Sequence, residues 1–170
     1  AVSAPAAGLH FSRELFNRMI LGDINKAFIT LHMGIGHFRE VDVEDLSKHK
    51  MDSERVIITE DAAALINKTK KSGHKVLAVG ITTIRGLETY TTTNDEVNPY
   101  DGWTNKFIFP PYEFSVANAM VTNFHMPYST LLMLVAAYGG YDLIMEAYDV
   151  ALKEDYRFGT YGDAMLIIDK

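Results

Sequence analysis

The chain has 170 residues, of which 48% are hydrophobic and 22% are charged, values typical of one domain with a substantial buried core. The net charge of -6 argues against nucleic-acid binding through a broad basic surface, although a local basic patch stays open. The sequence has no cysteine, which excludes disulfide frameworks, thiolate zinc sites and cysteine nucleophiles and is typical of a cytoplasmic protein. The longest apolar run, residues 131–138, is far shorter than the roughly 20 residues of a membrane helix.

The first predicted elements are a helix and a strand. Ser12 is a suitable N-cap for a helix that ends at Gly22, with apolar residues at helical spacing between them. Residues 26–33 are rich in β-branched and aromatic side chains, and they predict a strand that stops at a glycine turn. We expect an exposed loop over residues 40–54 and a short strand over residues 55–59.

Residues 59–72 give the clearest helix signal, with acids in the first turn, lysines in the last turn and Gly73 as terminator. The apolar run 75–80 predicts a strand buried on both faces of a sheet, and residues 81–89 predict a short helix. The remaining predicted elements are a polar loop at 94–104, strands at 106–109 and 115–123, helices at 129–138 and 141–152, and a strand at 164–168.

Strands and helices interleave along the whole chain, which favours one α/β domain over residues 1–170. We expect a mixed or parallel sheet flanked by helices.

The glycine turn Gly34–Gly36 follows a predicted strand, where glycine lets a ligand approach the backbone closely. As an isolated motif, such a turn more often has no ligand. His32 and His37 flank the turn, but they lack a carboxylate at ligand spacing. We therefore expect no metal site.

A second candidate site lies at the carboxyl end of the strand 75–80, the place where α/β sheets bind ligands. The hydroxyls of Thr82 and Thr83 and the guanidinium of Arg85 can converge there on a carboxylate, a phosphate or a ribose. In the alternative interpretation, a threonine caps the next helix and Arg85 pairs with Glu88.

Polar residues also follow two later elements. His125 lies between a predicted strand and a helix N-terminus, where it can act as a proton donor or base, or only secure the turn. Residues 156–163 gather a cation, two phenols and a carboxylate. Taken alone, this segment is an interaction-rich loop.

Five blocks of the sequence carry a resemblance to a known family. They are residues 4–11 (APAAGLHF), 29–39 (ITLHMGIGHFR), 79–88 (VGITTIRGLE), 122–134 (TNFHMPYSTLLML) and 161–167 (YGDAMLI). In this order they resemble the S-adenosylmethionine:tRNA ribosyltransferase-isomerase family of queuosine biosynthesis. The resemblance implies that this chain is the C-terminal α/β part of a longer protein, whose N-terminal half contains a β-barrel portion.

The family's activity implies transfer and isomerisation of the ribosyl moiety of S-adenosylmethionine onto the 7-aminomethyl-7-deazaguanine wobble base of tRNA. Epoxyqueuosine forms, and adenine and methionine are released. The expected partners are S-adenosylmethionine as co-substrate, tRNA with the precursor base, and the N-terminal half. Because tRNA affinity depends on phosphate contacts, that half or a lysine group must supply them. The lysines are Lys68, Lys70, Lys71 and Lys75.

The resemblance assigns hypothetical roles to the candidate residues. A base is needed for the acidic C5′ hydrogens beside the sulfonium, and a proton donor assists the departure of adenine. The candidates for these roles are His10, Glu88 and His125. The predicted S-adenosylmethionine ligands are Gly34, Gly36, Thr82, Thr83, Arg85 and Asp163, and the predicted tRNA-substrate ligands are His32, Arg39, Asn123, Ser129 and Tyr161.

The chain departs from the family pattern at Ala6, His37 and Ile81, where threonine is usual, at Glu40, where proline is usual, and at Tyr128, where lysine is usual. One alternative function is therefore a degenerate domain that binds S-adenosylmethionine or a nucleoside without turnover. Another is an S-adenosylmethionine-dependent methyltransferase, which is disfavoured because no acidic residue stands at the ribose-binding distance after a strand and glycine loop.

Overall fold

The structure, a computed structural model, describes residues 1–92 and 95–168, except for the side chains of His37 and Phe38. This part of the chain forms two three-stranded sheets with α-helices packed against them. The strands are β1 (Thr30–His32), β2 (Glu54–Ile58), β3 (Leu77–Val79), β4 (Tyr100–Thr104), β5 (Ala119–Asn123) and β6 (Ala164–Ile168). The helices are α1 (Arg13–Leu21), α2 (Glu60–Lys71), α3 (Ile81–Thr89), α4 (Thr130–Gly139) and α5 (Tyr141–Lys153), with 3₁₀ turns at Ala6–His10, Ile35–Phe38 and Leu46–Lys48.

The first sheet is antiparallel, with the strand order β1-β2-β4. Side chains alternate along β2, so that Val56 and Ile58 are buried while Arg55 is exposed. The buried side chains pack against Ala63 and Ile66 of α2. This sheet and α2 therefore enclose the smaller of the two cores.

The second sheet has the order β3-β5-β6, with β3 parallel and β6 antiparallel to the central strand β5. Its core contains Ile84 of α3, Met120 of β5, Val135 of α4 and Ile144 of α5. Four different elements thus meet in one apolar layer. The prediction of an α/β fold with a mixed sheet flanked by helices is confirmed.

Two predictions in the middle of the chain are wrong. Residues 100–104, predicted as loop, form β4, because each of them pairs with a residue of β2. Asp101 also forms an ion pair with Arg55 of β2 at 2.8 Å. Residues 106–109, predicted as a strand, form no ladder. The ring of Phe107 instead contacts that of Phe109 at 5.0 Å. Asn94, the first residue of the predicted loop, lies outside the described residues.

Two other predicted strands differ in extent or burial. The strand expected over residues 26–33 is limited to β1, and Phe28 before it is exposed. In β3, Leu77 is 46% exposed, so this strand is not buried on both faces.

No single helix in the described ranges is long and apolar enough to cross a membrane. Within the same ranges, the pair of α4 and α5 reaches the required length and composition, and the two axes are bent by 115° at the break between them.

Gly80 connects β3 to α3 in a conformation that favours glycine. Its φ is +91° and its ψ is 144°, a region where a Cβ atom is strained. Its N–H donates to the carbonyl of Val121 on β5 at 2.8 Å. The junction therefore fixes the start of α3 against the second sheet.

We predict that Gly80→Ala lowers the free energy of unfolding by about 1–3 kcal/mol, because the new side chain is strained at this φ. Urea unfolding measures the change. Gly8→Ala is the control, since its added Cβ meets only the Pro5 side chain, at 3.6 Å. Equal stability of Gly80→Ala and the parent protein would contradict the prediction.

Candidate functional site

A cavity of about 420 Å³ lies at the carboxyl ends of β3 and β5. Small-molecule sites commonly measure roughly 300–1,000 Å³, so this cavity is large enough for a nucleoside-sized ligand. Four segments form most of its wall: residues 3–8, 79–82, 122–127 and 159–160. Met33, Glu40, Ser129 and Leu131 complete it.

Two helix N-termini border the cavity. α3 starts at the lining residues Ile81 and Thr82, and no side chain caps it. The N–H groups of Thr83 and Ile84 donate to the Gly80 carbonyl at 3.1 and 3.4 Å. Those of Ile81 and Thr82 precede the first intrahelical bond, so this end suits an anionic group. α4 starts beside Ser129, whose Oγ accepts from Leu132 N–H at 3.2 Å and donates to the Met126 carbonyl at 2.7 Å. The hydroxyl of Ser129 is therefore used in forming the turn.

His125 lies on the cavity wall with its ring largely buried. Its Nε2 is 2.7 Å from Oγ1 of Thr122, and its backbone N–H donates to the Tyr148 hydroxyl at 2.9 Å. Burial lowers the pKa of His125 to about 4, because a charged imidazolium loses its hydration there. The ring is neutral at pH 7 and can accept a proton.

The end of β5 holds the loop that forms the cavity rim. The Asn123 side-chain amide donates to the carbonyls of Gly159 and Gly162 at 3.0 and 3.2 Å. At the base of the same loop, Asp163 accepts from the Arg157 N–H at 2.7 Å. This backbone bond is the main cause of the lowered pKa of Asp163. The side chains of Asn123 and Asp163 therefore stabilise the conformation of this loop.

The cavity brings together four of the predicted site residues: Thr82, Asn123, His125 and Ser129. The other predicted residues lie outside its wall. They are His10, His32, Gly34, Gly36, Arg39, Thr83, Arg85, Glu88, Tyr161 and Asp163.

Glu88 is a buried structural acceptor. Its carboxylate accepts from Ser115 N–H and Oγ–H, both at 3.0 Å, from Val116 N–H at 3.2 Å and from Tyr112 O–H at 3.2 Å. Burial, together with this carboxylate, raises the pKa of Tyr112. Glu88 therefore anchors the chain before β5 onto α3, and the structure does not bring it to the cavity.

Arg85 does not form the pair with Glu88 that the alternative interpretation predicted. Its guanidinium forms a buried ion pair with Glu54 of β2. Glu54 also accepts the backbone N–H of Gly34 at 2.6 Å. Burial lowers the pKa of Arg85 to about 10, so the guanidinium stays charged at pH 7. The pair connects α3, the first sheet and the glycine turn.

The hydroxyl of Thr83 donates to the Val79 carbonyl at 2.8 Å, within the β3–α3 junction. Arg39 lies 3.8 Å from Asp52 on the surface, and Tyr161 is 86% exposed. His32 is exposed on β1, and Gly36 lies in a 3₁₀ turn. His10 is exposed, and its charge contributes to the lowered pKa of Asp163.

Two of the four lysines expected to contact tRNA are engaged within the protein. Lys70 donates to the Ser115 carbonyl at 2.7 Å, and Lys71 pairs with Glu96 at 2.7 Å. These two ammonium groups support the packing and charge balance around α2.

Sequence reasoning missed Glu40 as a site residue. Among the described residues of the cavity wall, it is the one acidic side chain. A bridge between Glu40 and Ser129 brings it there from a segment predicted as exposed loop. No local pattern around residue 40 indicates this long-range pairing.

Of the positions that the resemblance marks as departures from the family pattern, Ala6, Glu40 and Ile81 line the cavity, whereas Tyr128 does not. Its side chain is 68% exposed and does not line the cavity. Its carbonyl accepts from Val41 N–H at 2.8 Å. The side chain of His37, another departure, lies outside the described part.

Comparisons with known proteins agree on one family. The model of the queuosine biosynthesis protein family matches residues 1–167. An S-adenosylmethionine:tRNA ribosyltransferase-isomerase of Phocaeicola vulgatus is 66% identical over 170 residues, and the match covers 100% of this chain and 48% of the relative. One from Bacteroides fragilis is 63% identical with the same coverage. The chain thus spans about half the length of these relatives.

A solved structure gives the same result at the level of the fold. The crystal structure of an S-adenosylmethionine tRNA ribosyltransferase from Thermotoga maritima superimposes with a TM-score of 0.79 at 41% identity. The match covers 95% of this chain and 51% of the other.

We predict that His125 makes the protein less stable in acid. Its pKa of about 4 in the folded state lies below the ordinary value near 6.5, so the unfolded chain binds more protons between these values. The stability is complete above about pH 6.5 and falls towards pH 4, by up to about 3 kcal/mol from this group. Urea unfolding at several pH values measures it.

The comparison variant for this prediction is His125→Gln, which keeps a polar group at the position and removes the titration. Its stability should depend less steeply on pH between 6.5 and 4. Identical pH profiles for the parent and the variant would exclude His125 as a source of the acid sensitivity.

Proposed function

The chain belongs to the queuosine biosynthesis protein family, and on this premise we propose that it forms part of an S-adenosylmethionine:tRNA ribosyltransferase-isomerase. The reaction moves the ribosyl moiety of S-adenosylmethionine onto the 7-aminomethyl-7-deazaguanine wobble base of tRNA. It gives epoxyqueuosine and releases adenine and methionine. The chain contributes the C-terminal α/β part, and its cavity holds S-adenosylmethionine. The neutral, largely buried His125 on the cavity wall is the observation that carries this proposal.

The cavity suits the charges of S-adenosylmethionine. The methionine part has a carboxylate, which matches the uncapped N-terminus of α3 at Ile81 and Thr82. The sulfonium and the ammonium are cations, and the carboxylate of Glu40 on the cavity wall has the opposite charge. Apolar side chains such as Phe124 and Leu131 suit the adenine ring.

His125 is the base in this proposal. The Thr122 hydroxyl lies 3.2 Å from the Asn123 carbonyl and donates to it. The Thr122 oxygen is 2.7 Å from Nε2 of His125, and we assign the tautomer in which Nε2–H donates to this oxygen and the lone pair is on Nδ1. Nδ1 takes a proton from the acidic C5′ position. The imidazolium then returns the proton, and the departing adenine accepts it.

The other partners follow from the same proposal. The tRNA with its precursor base binds mainly through the remaining half of the protein, since Lys70 and Lys71 have acceptors within this chain. The reaction takes place in the cytoplasm and uses no metal. The identities of 66% and 63% over the whole chain disfavour the degenerate binding domain.

The decisive assay follows adenine release by the full-length enzyme with S-adenosylmethionine and precursor-containing tRNA. We expect His125→Ala to lower kcat by about 100-fold or more, the usual contribution of a general base. His74→Ala is the matched control, because His74 is exposed and does not line the cavity. Parent enzyme that binds S-adenosylmethionine and releases no adenine would support the binding-domain alternative.

A second prediction concerns Glu40. Glu40→Gln should raise the KM for S-adenosylmethionine by about 3-fold at low salt and less at high salt, because an exposed ion pair contributes at most about 1 kcal/mol and is screened. Steady-state kinetics at two salt concentrations measure this. Glu44→Gln is the control, since Glu44 is an exposed glutamate outside the cavity wall. A salt-independent KM equal to that of the control would remove Glu40 from the site.

A further inference from the structure

The helix α1 differs from the other α-helices in the described part of the chain because it buries none of its residues. Each of α2 to α5 buries three or more. α1 has only 9 residues, and isolated helices shorter than about 12–15 residues are marginal in water. Its N-cap bond, from Leu15 N–H to Ser12 Oγ at 3.1 Å, does not replace tertiary packing. The helix therefore needs a surface to pack against.

The sequence of α1 identifies the side that needs this cover. Leu15, Phe16, Met19 and Ile20 recur at helical spacing and share one side. The polar side includes the exposed pair of Glu14 and Arg18, which are 2.7 Å apart. We name the apolar side the α1 face: Leu15, Phe16, Met19 and Ile20.

Exposed apolar residues continue beyond the helix. The Ile24 N–H donates to the Met19 carbonyl at 2.8 Å, which turns the chain back along the end of α1. Ile24 and the later Phe28 are 57% and 68% exposed, and Ile20 on the α1 face is 60% exposed. So many exposed apolar side chains within one short stretch mark an interaction surface.

We propose that the α1 face packs against the remainder of the same polypeptide, the part that this chain lacks relative to its relatives. Those relatives are about twice as long, since the chain covers 48% of each of the first three. A covalently attached partner has an effective concentration in the millimolar range. A second copy of the protein is not covalently attached, so its binding to the α1 face depends on the protein concentration.

The position of α1 gives this contact a functional meaning, and here the inference rests on the proposed function. Residues 3–8 form one wall of the cavity, and α1 starts at Arg13, shortly after them. The remainder of the polypeptide, seated on the α1 face, therefore contacts the helix that follows this cavity wall in the sequence. It can present the tRNA base to S-adenosylmethionine held there.

The test uses the full-length protein and two matched variants, Ile20→Lys on the α1 face and Asn17→Lys on the polar side of the same helix. In this chain both positions are exposed, so a helix without a partner would tolerate both changes. We expect Ile20→Lys to lower the midpoint of thermal unfolding by about 4 °C. Asn17→Lys should leave it within about 1 °C.

Hydrogen exchange of the parent protein gives a second measurement. The amides of residues 17–21 should exchange at least about 100-fold more slowly than in an unstructured peptide. Exchange at the unstructured rate, or equal unfolding midpoints for the two variants, overturns the proposal. Dissociation of a dimer by Ile20→Lys in sedimentation also overturns it, because the occupant is then a second copy.

The exchange and unfolding measurements do not depend on turnover. A parent enzyme that releases no adenine contradicts the proposed function, whereas slow exchange in α1 of the same preparation still supports the packing of the α1 face. The two proposals can therefore fail separately.

Discussion

The buried ion pair between Arg85 and Glu54 connects the two halves of the fold. Arg85 lies on α3, which contributes Ile84 to the core of the second sheet and Leu87 to the core of the first. Removing one partner of such a pair leaves an uncompensated buried charge, which typically costs about 3–5 kcal/mol. The pair thus fixes the orientation of α3, and with it the helix N-terminus that borders the cavity.

The chemistry of the cavity depends on a second constraint, the burial of His125. Phe124 beside it packs on Tyr148 and Phe158, with ring centroids 5.2 and 5.1 Å apart. The same Tyr148 accepts the backbone N–H of His125. The aromatic cluster and this hydrogen bond position His125 in a partly buried place, and the burial lowers the pKa of the imidazole.

Local signals predicted the helices well because the capping interactions are local. Ser12, Thr59 and Ser129 each accept the N–H of the residue three positions later. β4 was missed because Gly102 and Asp101 have low strand propensity, and only pairing with β2 stabilises them there. Glu40 was missed for a similar reason, since its bridge to Ser129 joins positions about half the chain length apart.

The charge of this chain bears on which partner of the proposed enzyme it binds. With a net charge of -6, the chain does not attract a polyanion over its whole surface. Lys71 is paired with Glu96, and Lys70 donates to the Ser115 carbonyl. In the proposed function, the cationic S-adenosylmethionine lies beside Glu40, the acidic side chain of the described cavity wall. The proposed function therefore assigns the phosphate contacts of tRNA to the remainder of the polypeptide, the same part that we propose to cover the α1 face.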